Sequence, residues 1–109
     1  MNIFITGVSG YIGHLVAAKL QAAGHQIVGL ARSGRAAQWM QKRGMTPHRG
    51  DLFDAASMRQ AALLADGVIH LGAAVGPAWA EGDRIAVGAL LGALAGSGKP
   101  FVYTSGTPI

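Results

Sequence analysis

Three glycines at every third position, Gly7, Gly10 and Gly13, follow a short β-like run at the amino terminus. Without Cβ atoms, the backbone can turn tightly at Gly7, approach a phosphate at Gly10 and let a helix pack on the strand at Gly13. The helix would present unpaired N–H groups and the positive end of its dipole to an anion. The pattern predicts a pyrophosphate-binding turn, the alternative being a tight turn without a ligand. The predicted contacts are Gly7, Ser9, Gly10, Tyr11, Ile12 and Gly13.

The residues after the second β-like run predict which dinucleotide binds. An acidic residue there would accept hydrogen bonds from both ribose hydroxyls of NAD. This chain has Ala31, Arg32 and Ser33 instead, and Arg35 follows at the start of a helix. A guanidinium can hold a 2′-phosphate through two hydrogen bonds, and a hydroxyl can donate another. The sequence therefore predicts NADP rather than NAD, unless Arg32 is only a solvated surface residue.

Two later strand ends supply further candidates for cofactor binding. Asp51 could meet the adenine amino group while Leu52 packs on the base, although the residues themselves favour a simple turn at Asp51. After the fourth β-like run, Leu71, Gly72 and Ala73 leave room for a ligand along the backbone.

Two polar residues in the last two β-like runs are candidates for chemistry. His70 lies inside an apolar run and is predicted to be a hydrogen-bonded core histidine rather than an acid–base group. Ser105 follows the fifth run and could hydrogen-bond a substrate carbonyl or hydroxyl, although serine is common at strand ends.

Regular alternation of apolar runs and helical spacing predicts the elements that position these residues. Strands are expected at 3–6, 26–31, 46–49, 68–71 and 101–104, and helices at 11–23, 35–43, 54–64 and 83–95. Asp54 is the expected N-cap of the third helix, and Pro47 suits an edge strand. Strict alternation implies a parallel sheet with right-handed crossovers, strand order 3-2-1-4-5 and a ligand at the switch point between strands one and four.

The last helix and the last strand raise questions about what lies beside them. Gly88, Gly92 and Gly96 stand four apart, which predicts close packing against this sheet or against the same helix of a second subunit in a homodimer. The fifth strand is as apolar as a central strand, yet the chain stops four residues after Ser105. Because bare strand edges aggregate, we expect a piece of a longer protein, or an edge that another molecule covers.

Composition excludes several classes of function. The chain has 109 residues, enough for one domain, and is half apolar with 13% charged residues. It has no cysteine, and its four histidines are not at metal-ligand spacing, so no metal site is predicted. The net charge of +4 comes from scattered basic residues, which disfavours nucleic acid as a partner. With neither a signal peptide nor a membrane-spanning stretch in the sequence, we expect a cytoplasmic protein.

The ordered set of motifs resembles the amino-terminal half of a short-chain dehydrogenase/reductase. The similarity is to the extended or atypical branch, the NAD(P)-dependent epimerase/dehydratases. It covers essentially the whole chain. It lies in the glycine turn at 6–13, the strand ends at 31–33, 50–52 and 70–74, and the run at 97–106 that leads into the active-site serine of that family.

The resemblance implies a three-layer, doubly wound Rossmann fold, here incomplete, and a small-molecule carbonyl or alcohol substrate. It also implies that Ser105 is catalytic and orients the substrate oxygen. In the family, a Tyr-x-x-x-Lys pair follows the serine and supplies the acid–base group. This sequence has no such pair, because Thr107 follows Tyr103 and Leu15 follows Tyr11 at that distance. The 109-residue stretch alone is therefore predicted to be inactive.

Three functional hypotheses remain open from the sequence. The first is an NADP(H)-dependent oxidoreductase or epimerase/dehydratase. The second is a non-catalytic module of the same fold that senses NADP. The third is an S-adenosylmethionine-binding protein, which usually needs an acidic residue after strand two, and Arg32 argues against it.

Overall fold

Short strands, most of them apolar, alternate with helices along the chain. The computed structural model describes residues 1–8, 10–71 and 79–103. These residues form five strands: β1 (Asn2–Thr6), β2 (Gln26–Ala31), β3 (Thr46–Arg49), β4 (Gly67–His70) and β5 (Phe101–Tyr103). They also form four helices: α1 (Tyr11–Ala22), α2 (Gly34–Lys42), α3 (Ala55–Leu64) and α4 (Trp79–Leu94). In this part of the chain, no helix combines the length and apolar character needed to cross a bilayer.

The strands form one parallel sheet in the order β3-β2-β1-β4-β5. The fold is therefore a Rossmann-like α/β fold, and both the class and the strand order predicted from the sequence are confirmed. β1 pairs with β2 on one side and with β4 on the other, so that Thr6 lies beside His70. The carboxyl ends of β1 and β4 thus meet where the strand order reverses, which is where this fold binds ligands.

Helices cover the sheet on both faces, and each face has its own core. Phe4 belongs to the core beneath α3 and α4, whereas its neighbour Ile5 belongs to the core beneath α1 and α2. Both side chains are fully buried, since successive residues of a strand point to opposite faces. Burial on both faces explains why β1, β2 and β4 are largely apolar runs.

Most predicted boundaries lie within one residue of the observed ones, and Asp54 is the N-cap of α3, as expected. The exception is α4, which begins at Trp79 and not at residue 83. Asp83 lies inside α4, and its carboxylate contacts β4 and β5.

The far end of the sheet bears on two further expectations. β5 forms the edge of the described sheet, as the predicted strand order requires, and Val102 is 54% exposed. Of the two alternatives for Gly88, Gly92 and Gly96, close packing against this sheet is not observed. A Cβ atom on Gly88 would meet nothing within 4 Å, and Gly96 lies beyond the helix with a φ of +74°. A homodimer through this helix stays a prediction.

Candidate functional site

The turn between β1 and α1 is built almost entirely from backbone. Gly7 has a φ of +75°, a conformation that side chains disfavour. The Gly10 N–H donates to the Gly7 carbonyl at 3.1 Å, and the His14 N–H donates to the Gly10 carbonyl at 2.8 Å. These two hydrogen bonds connect the end of β1 directly to the first turn of α1, at the edge of the sheet where the strands have their carboxyl ends.

The packing of α1 on this turn requires glycine at the third position of the motif. A Cβ atom on Gly13 would lie 1.9 Å from the Gly7 carbonyl oxygen, far inside van der Waals contact. A Cβ atom on Gly10 would lie 3.3 Å from the same oxygen, a much milder conflict. The three-residue spacing therefore reflects a positive φ at Gly7 and a backbone-to-backbone contact at Gly13.

Helix α1 begins without a side-chain cap, unlike α2 and α3. Its N-cap is Gly10, which has no side chain to accept a hydrogen bond. In α2 the hydroxyl of Ser33 accepts from the Ala36 N–H at 3.1 Å, and in α3 the carboxylate of Asp54 accepts from the Ser57 N–H at 3.1 Å. Among the described residues, no capping side chain therefore occupies the first amides of α1, and these amides can bind an anion.

The end of β2 presents basic and hydroxyl groups beside this turn. Ala31 is fully buried, so only its backbone can contact a ligand. Arg32, Ser33 and Arg35 are exposed. Ser33 also caps α2, a role that the sequence analysis missed although its position before the helix indicates it. Its hydroxyl hydrogen can still be donated, because a hydroxyl can accept and donate at once.

The end of β3 joins the same corner, since the Gly50 N–H donates to the Ala31 carbonyl at 3.1 Å. Asp51 forms a turn in which its Oδ1 accepts from the Phe53 N–H at 2.9 Å. This is the simple turn that the residues favoured over an adenine contact. Leu52 is only 4% exposed and belongs to the core beneath α3 and α4.

A cluster of polar side chains lies where β1, β4, α4 and β5 meet, and we call Thr6, His70, Asp83 and Tyr103 the His70 cluster. The Oγ1 of Thr6 lies 2.6 Å from the Nδ1 of His70. The Nε2 of His70 lies 2.9 Å from Asp83 Oδ1, and the Tyr103 hydroxyl donates to Asp83 Oδ2 at 2.6 Å. The rings of His70 and Tyr103 stack with centroids 5.6 Å apart.

Donor and acceptor chemistry sets the directions of these bonds. The Asp83 carboxylate can only accept, so the Nε2 of His70 carries a hydrogen. In neutral His70 the Nδ1 then accepts from the Thr6 hydroxyl, whose oxygen in turn accepts from the Leu71 N–H at 3.1 Å. His70 is 1% exposed, which confirms the predicted hydrogen-bonded core histidine.

The cluster also changes the acidity of Tyr103. The pKa of its hydroxyl is raised above the ordinary value, first by the hydrogen bond to Asp83, then by burial and by the carboxylate charge. The phenol is therefore held in its protonated form. The sequence analysis missed Asp83 and Tyr103, because nothing in their local sequence shows that a helix and a strand bring them together.

The structure brings the predicted residues into two neighbouring groups at the carboxyl edge. The glycine turn lies beside Leu71 at the ends of β1 and β4, and the Leu71 N–H donates to the Thr6 carbonyl at 3.2 Å. The second group, at the ends of β2 and β3, spans 31–35 and 50–52. Four predicted site residues lie outside the described residues: Ser9, Gly72, Ala73 and Ser105.

Comparison with known families agrees with this geometry. The sequence profile of the NAD dependent epimerase/dehydratase family matches residues 3–91, from β1 into α4. The chain belongs to that family. An uncharacterized protein of Saccharomyces cerevisiae is 44% identical over 98% of the chain, but the match covers 38% of that protein.

Solved structures share the fold. The NADPH-dependent quinone oxidoreductase of Escherichia coli, solved with NADPH, has a TM-score of 0.76 and 29% identity over 94% of the chain and 36% of that protein. The UDP-glucose 4-epimerase of Bifidobacterium longum, solved with NAD+ and UDP, has a TM-score of 0.76 over 96% of the chain and 37% of that protein. At 17% identity, the second similarity concerns the fold alone. The chain spans less than two fifths of each of these proteins.

Proposed function

We propose that this chain is the NADP(H)-binding part of an NAD(P)-dependent oxidoreductase or epimerase/dehydratase that acts on a carbonyl or alcohol substrate. The observation that carries the proposal is the glycine turn. Gly13 cannot bear a side chain there, and α1 begins without a side-chain cap. Together they offer backbone N–H groups to a diphosphate at the switch point of the sheet.

In this proposal the cofactor lies along the carboxyl edge of the sheet. The amides of the 7–13 turn bind the pyrophosphate, and the adenine lies beside the turn that Asp51 forms, with Leu52 buried beneath that turn rather than packed on the base. The nicotinamide extends past the end of β4, where Leu71, Gly72 and Ala73 follow. When bound, the nicotinamide ring accepts or donates a hydride.

The basic residues after β2 favour NADP over NAD in this proposal. Arg32 and Arg35 are exposed and flank Ser33, so that two guanidiniums and one hydroxyl can contact a 2′-phosphate. No carboxylate stands directly after β2 to repel that phosphate. The similarity to an NADPH-dependent quinone oxidoreductase supports this choice, while the epimerase solved with NAD+ shows that the fold also binds the other cofactor.

Ser105 is the catalytic residue that we propose in this chain. It follows β5, and β5 ends at the same edge as the glycine turn. There its hydroxyl would donate a hydrogen bond to the substrate oxygen and orient it toward the nicotinamide. A separate acid–base group must move the substrate proton, since this chain has no Tyr-x-x-x-Lys pair.

Titration of the protein with NADPH and NADH, followed by cofactor fluorescence, tests this proposal. We expect saturable NADPH binding that is tighter than NADH binding. Arg32→Ala should reduce that preference, whereas Arg59→Ala on α3 removes the same charge at a distance and should leave it unchanged. Equal affinities for the two cofactors would contradict NADP selection. Binding without turnover in the complete protein would favour the alternative, a non-catalytic NADP-sensing module.

A further inference from the structure

The end of β3 brings a third arginine to the corner where β2 meets α2. In the parallel ladder Arg49 is the partner of Ala31, the residue directly before Arg32. Partners in neighbouring strands extend their side chains to the same face of the sheet. Ala31 is buried in the core beneath α1 and α2, so Arg49 extends toward the α2 side.

The Arg49 guanidinium reaches the start of α2. A Cβ atom on Gly34, the first residue of α2, would lie 3.8 Å from the Nη1 of Arg49. Gly34 stands between Ser33 and Arg35 in the chain. The guanidinium of Arg49 therefore lies beside the segment that carries the two proposed 2′-phosphate contacts from β2 and α2.

This corner has positive charge without an internal partner. Among the residues that the structure describes, Arg32, Arg35 and Arg49 form no ion pair. The nearest carboxylate along the chain, Asp51, uses its Oδ1 to accept from the Phe53 N–H of its own turn. Two strand ends and a helix thus supply three guanidiniums, which repel one another. A dianionic phosphate bound among them would neutralise most of this charge.

We propose that Arg49 is a specificity-determining residue that binds the 2′-phosphate of a 2′-phosphorylated adenosine, opposite Arg32. This inference rests on the proposed function, because it assumes that the adenosine ribose lies at the end of β2. It adds a residue from a different strand, 17 positions after Arg32 in the sequence. With Arg49 on β3 and Arg32 after β2, the phosphate is held from two sides rather than from one loop.

The test measures NADPH and NADH affinity by fluorescence in the full chain and in three variants. Arg49→Ala should weaken NADPH binding about ten-fold, the range of one charge-assisted hydrogen bond, and leave NADH binding unchanged. Arg49→Lys should show an intermediate loss, since it keeps the charge but loses the planar fork. Arg59→Ala is the matched control and should bind both cofactors as the unchanged chain does.

Competition with 2′,5′-ADP and 5′-AMP identifies the group that Arg49 contacts. We expect Arg49→Ala to weaken 2′,5′-ADP about as much as NADPH and to leave 5′-AMP unchanged. Inorganic phosphate serves as a third competitor. If inorganic phosphate is the only competitor that Arg49→Ala binds more weakly, Arg49 binds free phosphate and not the cofactor, which overturns the inference.

The possible failures are distinguishable. If the unchanged chain binds neither NADPH nor NADH, the proposed function fails and the role of Arg49 fails with it. If it prefers NADPH and Arg49→Ala keeps that preference, only the assignment of Arg49 is overturned. An equal loss for both cofactors would also overturn it, because the residue would then not read the 2′-phosphate. Thermal unfolding of each variant verifies that it is folded.

Discussion

Two regions that meet at Thr6 differ in the atoms that form them, which are backbone atoms in one and side-chain atoms in the other. On one side, the glycine turn from Gly7 to Gly13 is made of backbone, with α1 packed so closely that Gly13 has no room for a Cβ atom. On the other side, the His70 cluster is made of side chains that satisfy one another. Thr6 belongs to both, since it precedes Gly7 in the chain and its hydroxyl contacts His70.

The two regions also differ in the hydrogen-bonding groups that a ligand could contact. The glycine turn begins a helix whose N-cap, Gly10, has no side chain, and among the described residues no side chain caps its first amides, so it can bind an external anion. The His70 cluster directs its donors to its own acceptors, and His70 itself is buried. We therefore expect the turn to bind the cofactor and the cluster to hold β4, α4 and β5 together.

The largest effect is expected from Gly13→Ala. The new methyl group would lie 1.9 Å from the Gly7 carbonyl oxygen, so the turn must open. We expect the free energy of unfolding to fall by about 3 kcal/mol, the upper range for overpacked sites. NADPH binding should be lost, as measured by fluorescence in a variant that circular dichroism shows to be folded.

Gly34→Ala is the matched control for that variant. Gly34 also stands at a helix start, but its φ is not positive and the nearest atom to a new Cβ would be 3.8 Å away. Its stability should change by no more than about 0.5 kcal/mol. Equal losses in the two variants would refute the close packing of α1 on the turn.

Asp83→Ala should have the next largest effect and should act on stability alone. It removes the acceptor of His70 Nε2 and of the Tyr103 hydroxyl, and it leaves a buried imidazole N–H without a partner. Urea denaturation should show a loss of about 2 kcal/mol. The ratio of NADPH to NADH affinity should not change. Glu81→Ala, in the first turn of the same helix, is the control, since in the described part of the chain Glu81 pairs with exposed Arg84 and with no member of the cluster. A changed cofactor ratio in Asp83→Ala would mean that the cluster takes part in binding.

Ser33→Ala separates capping from cofactor recognition at the start of α2. Loss of the bond to the Ala36 N–H should lower stability by about 1 kcal/mol. NADPH affinity should also fall, because the proposed 2′-phosphate contact disappears. Asp54→Ala removes the cap of α3 and should lose similar stability with unchanged cofactor affinity. If Ser33→Ala binds NADPH as well as Asp54→Ala does, Ser33 caps α2 and does not contact the cofactor.

The smallest effect concerns pH and Tyr103. Because folding raises the pKa of this hydroxyl, the folded chain holds the phenol proton more tightly than the unfolded chain does. The resulting stabilisation is present below the unfolded pKa of about 10 and is lost as the pH rises through the folded pKa. Thermal unfolding between pH 8 and about 11 should show this loss, and Tyr103→Phe should reduce it. An identical pH profile in both proteins would exclude Tyr103 as its source.

Local pattern predicted much of this fold because the relevant physics is local. The glycine spacing, the N-cap at Asp54 and the alternation of apolar runs each depend on neighbours a few residues apart. The predicted start of α4 at residue 83 was wrong, and the partners of Asp83 lie on other elements, which local pattern does not show. The predicted strand order placed β5 at the edge of the sheet, although its apolar composition does not show this, since an apolar run has the same composition wherever it lies in a sheet.

The sequence by itself determined the order of elements, the parallel sheet, the glycine turn and the basic residues after β2. These follow from side-chain periodicity and from backbone conformations that only glycine adopts readily. Only the tertiary structure decided that Arg49 lies against Gly34 and that Thr6, His70, Asp83 and Tyr103 form one cluster. Such contacts join residues up to 64 positions apart, as Thr6 and His70 are. They depend on how strands align and helices pack, which no stretch of sequence specifies alone.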